Sequence, residues 1–487
     1  IQAPHKIDFA RGKAVRNDKA EEMTMKRVCA LVFLTVFALS GCGARGGAAS
    51  VAADDFAQET PQVQANEEKI TVGDLFALQE TCGGGHGVNT GDAYYEYARV
   101  GDTNDSWNAL ILKTDYATGA QSCICQKPGC THSDESCNAF LQDWAGINLS
   151  VVNDKIYLCY AGLGKDIDPE QTKKEREEMR AGLQTEEERR DFDKKTKNMS
   201  QPSYLDVISM DGMEKHRLTE FSSLLFPSFR YSDGDALYGI SDAFDAAGIY
   251  SAQAVRVDLE TGEMLSRALQ PEERIIGVFG NRFVTERLAS PQDLAALGAA
   301  GNQEAYVAAL QSATKEFSAF DFATGEREKL MELPYDTYTC GVVNNSLLYG
   351  TEQKESGGCV DYQLHDFATG TNRTIITAPP IWFTMEILQP QGAGKPEQYS
   401  LWYDGPENHL LELATGKAYA LTMPAGPFFD GTSSPRLMAQ TNDGRFLVTI
   451  GSMSEQHNDR SRYALLSPEN FLANKADYTE VTMYKTA

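Results

Sequence analysis

Short apolar strands separated by polar turns recur along most of this chain. One series of turns places Asn, Asp or Gly after an apolar run and before an aromatic-rich strand, as in "VVNDKIYLCY" and "VVNNSLLYGT". A second series places a Thr-Gly or related pair between two alternating strands. Its glycines are Gly119, Gly212, Gly262, Gly325, Gly370 and Gly416, and a degenerate seventh copy surrounds Pro468. Alternation with a period of two predicts half-buried β-strands, and these turn residues predict tight hairpins.

The two series alternate, so that seven units each contain strand A, a turn, strand B, a connection, strand C, a Thr-Gly turn and strand D. Several units span roughly the 40–50 residues of a four-stranded propeller blade. We therefore predict an all-β fold, a β-propeller with seven four-stranded blades. Six or eight blades are the alternatives, because the first and last units are the least regular.

Two insertions interrupt this pattern, and both fall between strands B and C of a unit. Residues 165–200, in the second unit, are rich in Lys and Glu, and Thr185 with Glu188 forms a capping box. Residues 290–315, in the fourth unit, are rich in Ala. Both insertions are predicted to contain short helices. In an up-and-down blade the B–C and D–A connections share one face, so these helices should lie on the face opposite the tight turns.

The N-terminal region carries a targeting signal. Lys26 and Arg27 precede an apolar run, residues 28–39, which is too short for a stable membrane span and ends in "LSGC" at Cys42. This order resembles the lipobox of bacterial lipoprotein precursors. The resemblance implies a signal peptide over residues 25–41, a diacylglycerol on the Cys42 thiol and a lipid anchor on the extracytoplasmic face of the cell membrane.

The lipobox also divides the chain. Residues 1–24 precede the signal, so we expect the precursor to start at Met23 or Met25 and the upstream residues to be over-read. Residues 42–67 are small, polar and acidic, a composition that cannot bury enough surface to fold. They are predicted to be a flexible tether, and residues 68–487 the propeller domain.

The charge of the chain limits its partners. It contains 44 Lys and Arg against 69 Asp and Glu, a formal net charge of −25. An acidic surface repels phosphate backbones, so nucleic acid is excluded as a partner. It also repels anionic headgroups, so attachment to the membrane should depend on the lipid.

A cysteine-rich stretch, "CICQKPGCTHSDESC", stands in the predicted D–A connection after the first blade. Cys125, Cys130, His132 and Cys137 offer three thiolates and one imidazole, the ligand set of a structural zinc site. An extracytoplasmic location equally permits disulfides, and connectivity cannot be deduced from sequence. Cys123 lies two residues before Cys125 and could replace a ligand or pair with another thiol. Either way the stretch is expected to hold its own loop in place, without catalysis.

Tryptophans are the other candidate binding residues. The topology places Trp107, Trp144, Trp382 and Trp402 toward the face that carries the insertions. There they could stack on a sugar or grip a peptide, and the alternative is that they cap the cores of the blades.

The turn pattern resembles that of the TolB-like propellers found in bacterial extracytoplasmic proteins. The "KPGCTH" cluster resembles that of a group of lipoproteins from anaerobic Gram-positive bacteria. The resemblance implies a membrane-anchored propeller that acts as a non-catalytic binding or scaffold lipoprotein for a glycan, a peptide or an envelope protein. The alternative is a glycan-active hydrolase or lyase that uses carboxylates at the propeller funnel. No hydrolase, nucleotide-binding or metalloprotease motif stands in the sequence, so we expect a protein that is not an enzyme.

Overall fold

The computed structural model places the candidate site within a repeated β architecture. It describes residues 70–78, 87–100, 108–142, 147–160, 174, 177–195, 203–221, 228–244, 250–299, 301–352, 359–378, 386–387, 399–404, 407–422, 436–455 and 458–485. Cys42, the predicted signal peptide and the predicted tether lie outside these ranges, so those assignments stay predictions. No helix among the residues described here is long and apolar enough to cross a membrane.

The first strands in the chain form three blades. A short strand, β1 (Phe76–Ala77), precedes them. Blade 1 contains β2 (Gly87–Asn89), β3 (Ala93–Arg99), β4 (Ala109–Asp115) and β5 (Ala120–Cys123), with β6 (Phe140–Leu141). Blade 2 contains β7 (Ile147–Val152), β8 (Lys155–Tyr160), β9 (Tyr204–Ser209) and β10 (Lys215–Glu220). Blade 3 contains β11 (Ser228–Ser232), β12 (Ala236–Phe244), β13 (Tyr250–Asp258) and β14 (Met264–Ala268).

Four further blades follow in chain order. Blade 4 contains β15 (Glu273–Phe279), β16 (Arg282–Ala289), β17 (Thr314–Phe320) and β18 (Arg327–Pro334). Blade 5 contains β19 (Tyr338–Val343), β20 (Ser346–Glu352), β21 (Val360–Asp366) and β22 (Asn372–Ala378). Blade 6 contains β23 (Glu386–Ile387), β24 (Tyr399–Asp404), β25 (Glu407–Glu412) and β26 (Lys417–Leu421). Blade 7 contains β27 (Arg436–Gln440), β28 (Phe446–Glu455), β29 (Asn458–Leu466) and β30 (Thr479–Glu480).

The prediction of seven antiparallel blades is therefore confirmed. First strands of successive blades contact one another, as β2 contacts β7 and β15 contacts β19, which places them around the axis of a ring. Apolar residues fill the spaces between neighbouring sheets. Ile111 of blade 1 and Ile156 of blade 2 are fully buried in one such cluster, and Leu410 of blade 6 and Phe446 of blade 7 in another.

Most of the Thr-Gly turns share one hydrogen-bond pattern. Six of these turns place their glycine at positive φ, between 62° and 77°, where a residue with a Cβ is strained. In four of these turns an Asp four residues before the glycine accepts from backbone N–H groups of the turn, as Asp366 Oδ1 does from Thr369 N at 2.8 Å. These hydrogen bonds hold the pKa of Asp366 below its ordinary value. The degenerate copy around Pro468 is a short helix instead, capped by Ser467.

Helices occupy both predicted insertions. Helix α1 (Glu186–Lys195) lies between β8 and β9, and α2 (Leu294–Ala299) with α3 (Gln303–Gln311) lies between β16 and β17. The capping box is confirmed, because Thr185 Oγ1 accepts from Glu188 N at 3.1 Å and Glu188 Oε2 accepts from Thr185 N at 2.9 Å. A fourth helix, α4 (Pro468–Leu472), links β29 to β30.

Both ends of the described chain join blades that are distant in sequence. Strand β1 pairs with β11 of blade 3, and Leu75 N donates to Gly280 O in blade 4 at 2.9 Å. At the other end, Gln121 N of blade 1 donates to Thr482 O at 2.8 Å. The last residues therefore connect blade 7 to the outer strand of blade 1. Neither pairing is predicted by the turn pattern.

Candidate metal centre

The cysteine loop interrupts the outer strand of blade 1. Strand β5 pairs with β4 as far as Cys123, opposite Leu112, and β6 pairs with the same strand two residues further along, with Phe140 opposite Leu110. Ile124 and Ala139 still hydrogen-bond to Ile111 of β4, so residues 125–138 leave the edge of the sheet and return to it. The sequence-based placement in the D–A connection is corrected by this pairing, since that connection begins only after β6.

Four potential ligands converge within this loop. The Sγ atoms of Cys125, Cys130 and Cys137 and a ring nitrogen of His132 all lie within 4.8 Å of one another. His132 Nδ1 lies 3.3 Å from Cys137 Sγ. A tetrahedral zinc ion, with bonds of about 2.3 Å to sulfur and about 2.0 Å to nitrogen, needs ligand atoms separated by this order of distance. Three soft thiolates and an imidazole also match zinc in donor chemistry, so the residues fit that ion.

Two left-handed residues bend the loop around the four ligands. Gly129 has a φ of 74° and follows Pro128, and Cys130 N donates to Lys127 O at 3.2 Å to close that turn. His132 has a φ of 55°, which is uncommon for a residue with a side chain. These turns bring residues from a short stretch of chain to one point, which an extended strand could not do.

The loop docks on blade 2 through the turn that contains Gly212. Gln126 N donates to Asp211 O at 2.9 Å, and Asn138 Nδ2 donates to Gly212 O at 2.9 Å. A Cβ added at Gly212 would lie 2.6 Å from the Cα of Cys125, so only glycine fits there. The loop therefore contacts a C–D turn. This contact corrects the sequence-based expectation that it belongs to the opposite, insertion-bearing face.

Crowding of thiols controls the electrostatics of the centre. The pKa of the Cys125 thiol is raised to about 11, first by burial and then by hydrogen bonds with Cys137 and Cys130. The pKa of Cys137 lies still further above its ordinary value, chiefly because of its hydrogen bond to Cys123 and its burial. Cys125 and Cys137 therefore resist ionisation, whereas the hydrogen bond with Cys137 holds the pKa of Cys123 below its ordinary value. A bound dication reverses this preference, because coordinating thiols are deprotonated.

The seven cysteines in the described ranges form no disulfide with one another. Cys340 lies on β19 and Cys359 stands directly before β21, and both are half-buried. Cys159, on β8, is buried.

Only one of the four predicted tryptophans falls in the part of the chain that the structure describes. Trp107, Trp144 and Trp382 lie outside the residues that are described. Trp402 lies in β24, where its backbone pairs with His409. A role for the tryptophans in ligand binding therefore stays a prediction.

Sequence reasoning missed two contributors to the centre. Gly212 was identified as a turn glycine, and its departure from the Thr-Gly pair in "SMDGMEK" was the available signal. Tyr484 packs against the same apolar cluster as the cysteines from the far end of the chain. No local pattern could have indicated this contact.

Comparison with known proteins finds distant structural similarity and no sequence relative. No protein-family model matches the chain, and no curated protein matches its sequence. The fold is similar to that of the β-propeller domain of the Trilobed protease from Pyrococcus furiosus, at 10% identity and a TM-score of 0.41, over 84% of this chain and 99% of that chain. It is also similar to acylaminoacyl peptidase from Pyrococcus horikoshii, at 12% identity and a TM-score of 0.42, over 84% of this chain and 53% of the peptidase.

TolB from Acinetobacter baumannii is similar at 14% identity, with a TM-score of 0.30 over 77% of each chain. The chain spans about half the length of the peptidase from P. horikoshii that it matches. At these identities and TM-scores the similarities carry no conclusion about the activity of this chain.

Proposed function

We propose that this chain is a non-catalytic, extracytoplasmic propeller scaffold whose blade 1 carries a structural zinc ion. One observation carries the metal assignment: the ligand atoms of Cys125, Cys130, His132 and Cys137 lie within 4.8 Å of one another. Between Cys125 and Cys137 no residue of the loop is buried. Core burial therefore does not hold residues 126–136, and a bound ion supplies what the apolar contacts lack.

The donor set favours a structural over a catalytic ion. Catalytic zinc keeps one coordination position open for water or substrate, whereas structural sites use four protein ligands. Three thiolates and one imidazole complete a tetrahedral shell. Cys125 and Cys137, at 5% and 1% exposure, leave little room for a substrate.

The scaffold role rests on the lipobox and on the state of the buried carboxylates. A glycan-active enzyme needs two carboxyl groups facing each other, about 5–10 Å apart, with different protonation states. The three least exposed carboxylates in the described part of the chain are instead paired with cations: Asp206 with Arg217 at 2.7 Å, Glu273 with Arg327 at 2.8 Å and Glu286 with Arg274 at 3.0 Å. Glu96 is the exception, because it accepts from Gln121 Nε2 at 2.7 Å and from the Tyr463 hydroxyl at 2.6 Å, and burial raises its pKa.

Glu273 illustrates the difference from a catalytic acid. Burial by itself raises the pKa of this carboxyl group, but the hydrogen bonds from Arg327, Gln270 N and Thr285, together with the charge of Arg327, outweigh it, and the pKa lies below its ordinary value. A general acid of a glycosidase needs the opposite shift. Glu273 therefore fits a structural ion pair between the first and last strands of blade 4.

The proposed anchor is the diacylglycerol on Cys42, and the proposed partners are a glycan, a peptide or an envelope protein. Fractionation of cells that express the wild type and Cys42→Ser tests the anchor. The wild type should sediment with membranes, and the variant should lose this association while keeping the same folded domain. Equal sedimentation of both proteins would contradict lipid anchoring.

Metal analysis tests the centre itself. Protein purified without chelator should contain one zinc per chain, and Cys130→Ser should contain far less, because a thiolate ligand is lost. Cys359→Ser, the same substitution at a remote half-buried cysteine, should keep its zinc. Binding must deprotonate three thiols, so zinc affinity should fall as the pH falls. Absence of zinc in the wild type, together with fewer titratable thiols than cysteines, would instead support disulfides.

A further inference from the structure

The centre offers five groups for a four-coordinate ion. Cys123 and Cys137, one of the four proposed ligands, are buried in the same cluster at the two ends of the loop, and each thiol acts on the pKa of the other. A tetrahedral zinc ion that takes Cys125, Cys130, His132 and Cys137 leaves the Cys123 thiol outside the shell but against it. The spare thiol is buried, at 8% exposure, so it is not a surface cysteine that happens to lie nearby.

The fold holds Cys123 and Cys137 at the two ends of the cysteine loop. Cys123 is the last residue of β5 and pairs with Leu112 of β4. Cys137 stands three residues before Phe140, which pairs with Leu110 of the same strand, and Cys137 O accepts from Phe140 N at 3.0 Å. A bond between these two sulfurs would close the base of the loop, at the point where both of its ends meet β4.

We propose that Cys123 is a resolving thiol, and that a hydroperoxide converts the zinc-held loop into one closed by a Cys123–Cys137 disulfide. This inference rests on the proposed zinc function. The two binding modes that the sequence leaves open, metal and disulfide, are then two redox states of one site.

The chemistry balances with a hydroperoxide as the oxidant. One sulfur attacks the O–O bond, which breaks to give a sulfenic acid and a departing hydroxide. The second sulfur attacks the sulfenic sulfur, the S–S bond forms, and hydroxide leaves again. In total one thiol, one thiolate, one hydrogen peroxide and one proton give a disulfide and two waters. The two sulfurs lose two electrons, and the peroxide gains them.

Oxidation of Cys137 removes one of the four ligands, so the remaining three bind zinc weakly and the ion leaves. Residues 126–136 then lose their internal link, while the base of the loop stays closed. Hydrogen exchange should accelerate within 126–136 and stay slow in β4 and β5. The contacts of Gln126 and Asn138 with the Gly212 turn are where this loosening reaches blade 2.

The test compares zinc-loaded wild-type protein with Cys123→Ser and Cys359→Ser during treatment with hydrogen peroxide. A chromophoric chelator reports released zinc, and peptide mapping under non-reducing conditions identifies the disulfide. Wild type and Cys359→Ser should release zinc together with formation of the Cys123–Cys137 linkage. Cys123→Ser should release zinc at least about tenfold more slowly, because the other thiols near Cys137, those of Cys125 and Cys130, are coordinated to zinc and are poorer nucleophiles than the spare thiol of Cys123.

Equal release from Cys123→Ser and wild type, or a disulfide that leaves Cys123 free, would overturn the inference. Cys123→Ala serves as a second variant if serine at this buried position impairs folding, which thermal unfolding will show. If the wild type contains no zinc, the proposed metal function fails. Peptide mapping of peroxide-treated protein then still decides whether Cys123 and Cys137 form the preferred pair.

Discussion

The insertion in blade 4 and the cysteine loop of blade 1 both interrupt a blade, but different interactions hold them in place. The insertion in blade 4, α2 with α3, folds on apolar burial: Leu294, Ala309 and Ala313 are 7%, 0% and 3% exposed. The cysteine loop of blade 1 buries nothing between Cys125 and Cys137. It is held by hydrogen bonds to blade 2 and by the cluster of thiols and imidazole. Sequence composition selects between the two solutions, because "QKPGCTHSDES" has no side chains that could build a core.

Capping shows the same contrast on a smaller scale. In the blade 4 insertion, Asn302 Oδ1 accepts from Ala305 N at 3.1 Å and begins α3, so the helix satisfies its own backbone. In the cysteine loop a backbone group is instead satisfied by blade 2, because Gln126 N donates to Asp211 O. A segment without regular structure needs neighbouring residues to satisfy its backbone hydrogen bonds, and a helix needs them less.

The largest expected difference follows removal of the metal. Chelation should abolish hydrogen-exchange protection throughout 126–136 and leave α2 and α3 unchanged, because only the first segment depends on the ion. Cys130→Ser should weaken zinc binding by more than about 100-fold, since even partners of ligands alter affinity about 10–100-fold. Loss of protection in both segments would show that the loop and the insertion are not independent.

Truncation of Leu294, the buried leucine of the blade 4 insertion, should have the next largest effect. Leu294→Ala is expected to cost about 2–4 kcal/mol of the stability of the insertion, because a buried leucine leaves a cavity. Exchange in α2 and α3 should accelerate, whereas zinc content should not change. Val307→Ala, at an exposed position of α3, is the matched control and should be close to neutral. A zinc loss in Leu294→Ala would contradict the separation of the two mechanisms.

The turn of blade 2 on which the cysteine loop docks can be altered by adding one methyl group at Gly212. Gly212→Ala should cost about 1–2 kcal/mol for the left-handed conformation alone, with a further loss from the clash with Cys125. Gly325→Ala is the control, since it has a φ of 77° and nothing within 4 Å of an added Cβ. Chemical denaturation should therefore rank Gly212→Ala as the more destabilised. Identical losses would mean that the loop moves freely away from the turn.

The smallest expected effect is the loss of a helix cap. Asn302→Ala should destabilise α3 by about 1 kcal/mol, as is usual for a lost N-cap. Thermal unfolding should shift slightly, and the exchange rates of residues 126–136 should not move. Asn302→Ser, which keeps a capping oxygen, should recover most of the difference. A full loss in the serine variant as well would indicate that the amide has another role.

Much of the fold was predictable because its determinants are local. The Thr-Gly turns, their acidic residues and the alternation of apolar positions each operate within a few residues, and together they predict seven four-stranded blades. The capping box at Thr185 and Glu188 and the Ala-rich helices of blade 4 were predictable for the same reason. The placement of the cysteine loop was wrong, because the return of β6 to β4 depends on an unpaired stretch of strand that no local pattern marks.

The sequence by itself determined the ligand set at the candidate centre. Cys125, Cys130, His132 and Cys137 lie within thirteen residues, so a turn at Pro128-Gly129 suffices to gather them. Tertiary structure alone decided what surrounds that set: Gly212 beneath the loop, Tyr484 beside it, and Cys123 against Cys137. It also decided that β1 joins blade 3 and that residue 482 joins blade 1. The physical reason is range, since hairpins and turns depend on neighbouring residues, whereas these contacts depend on which faces meet when the blades close into a ring.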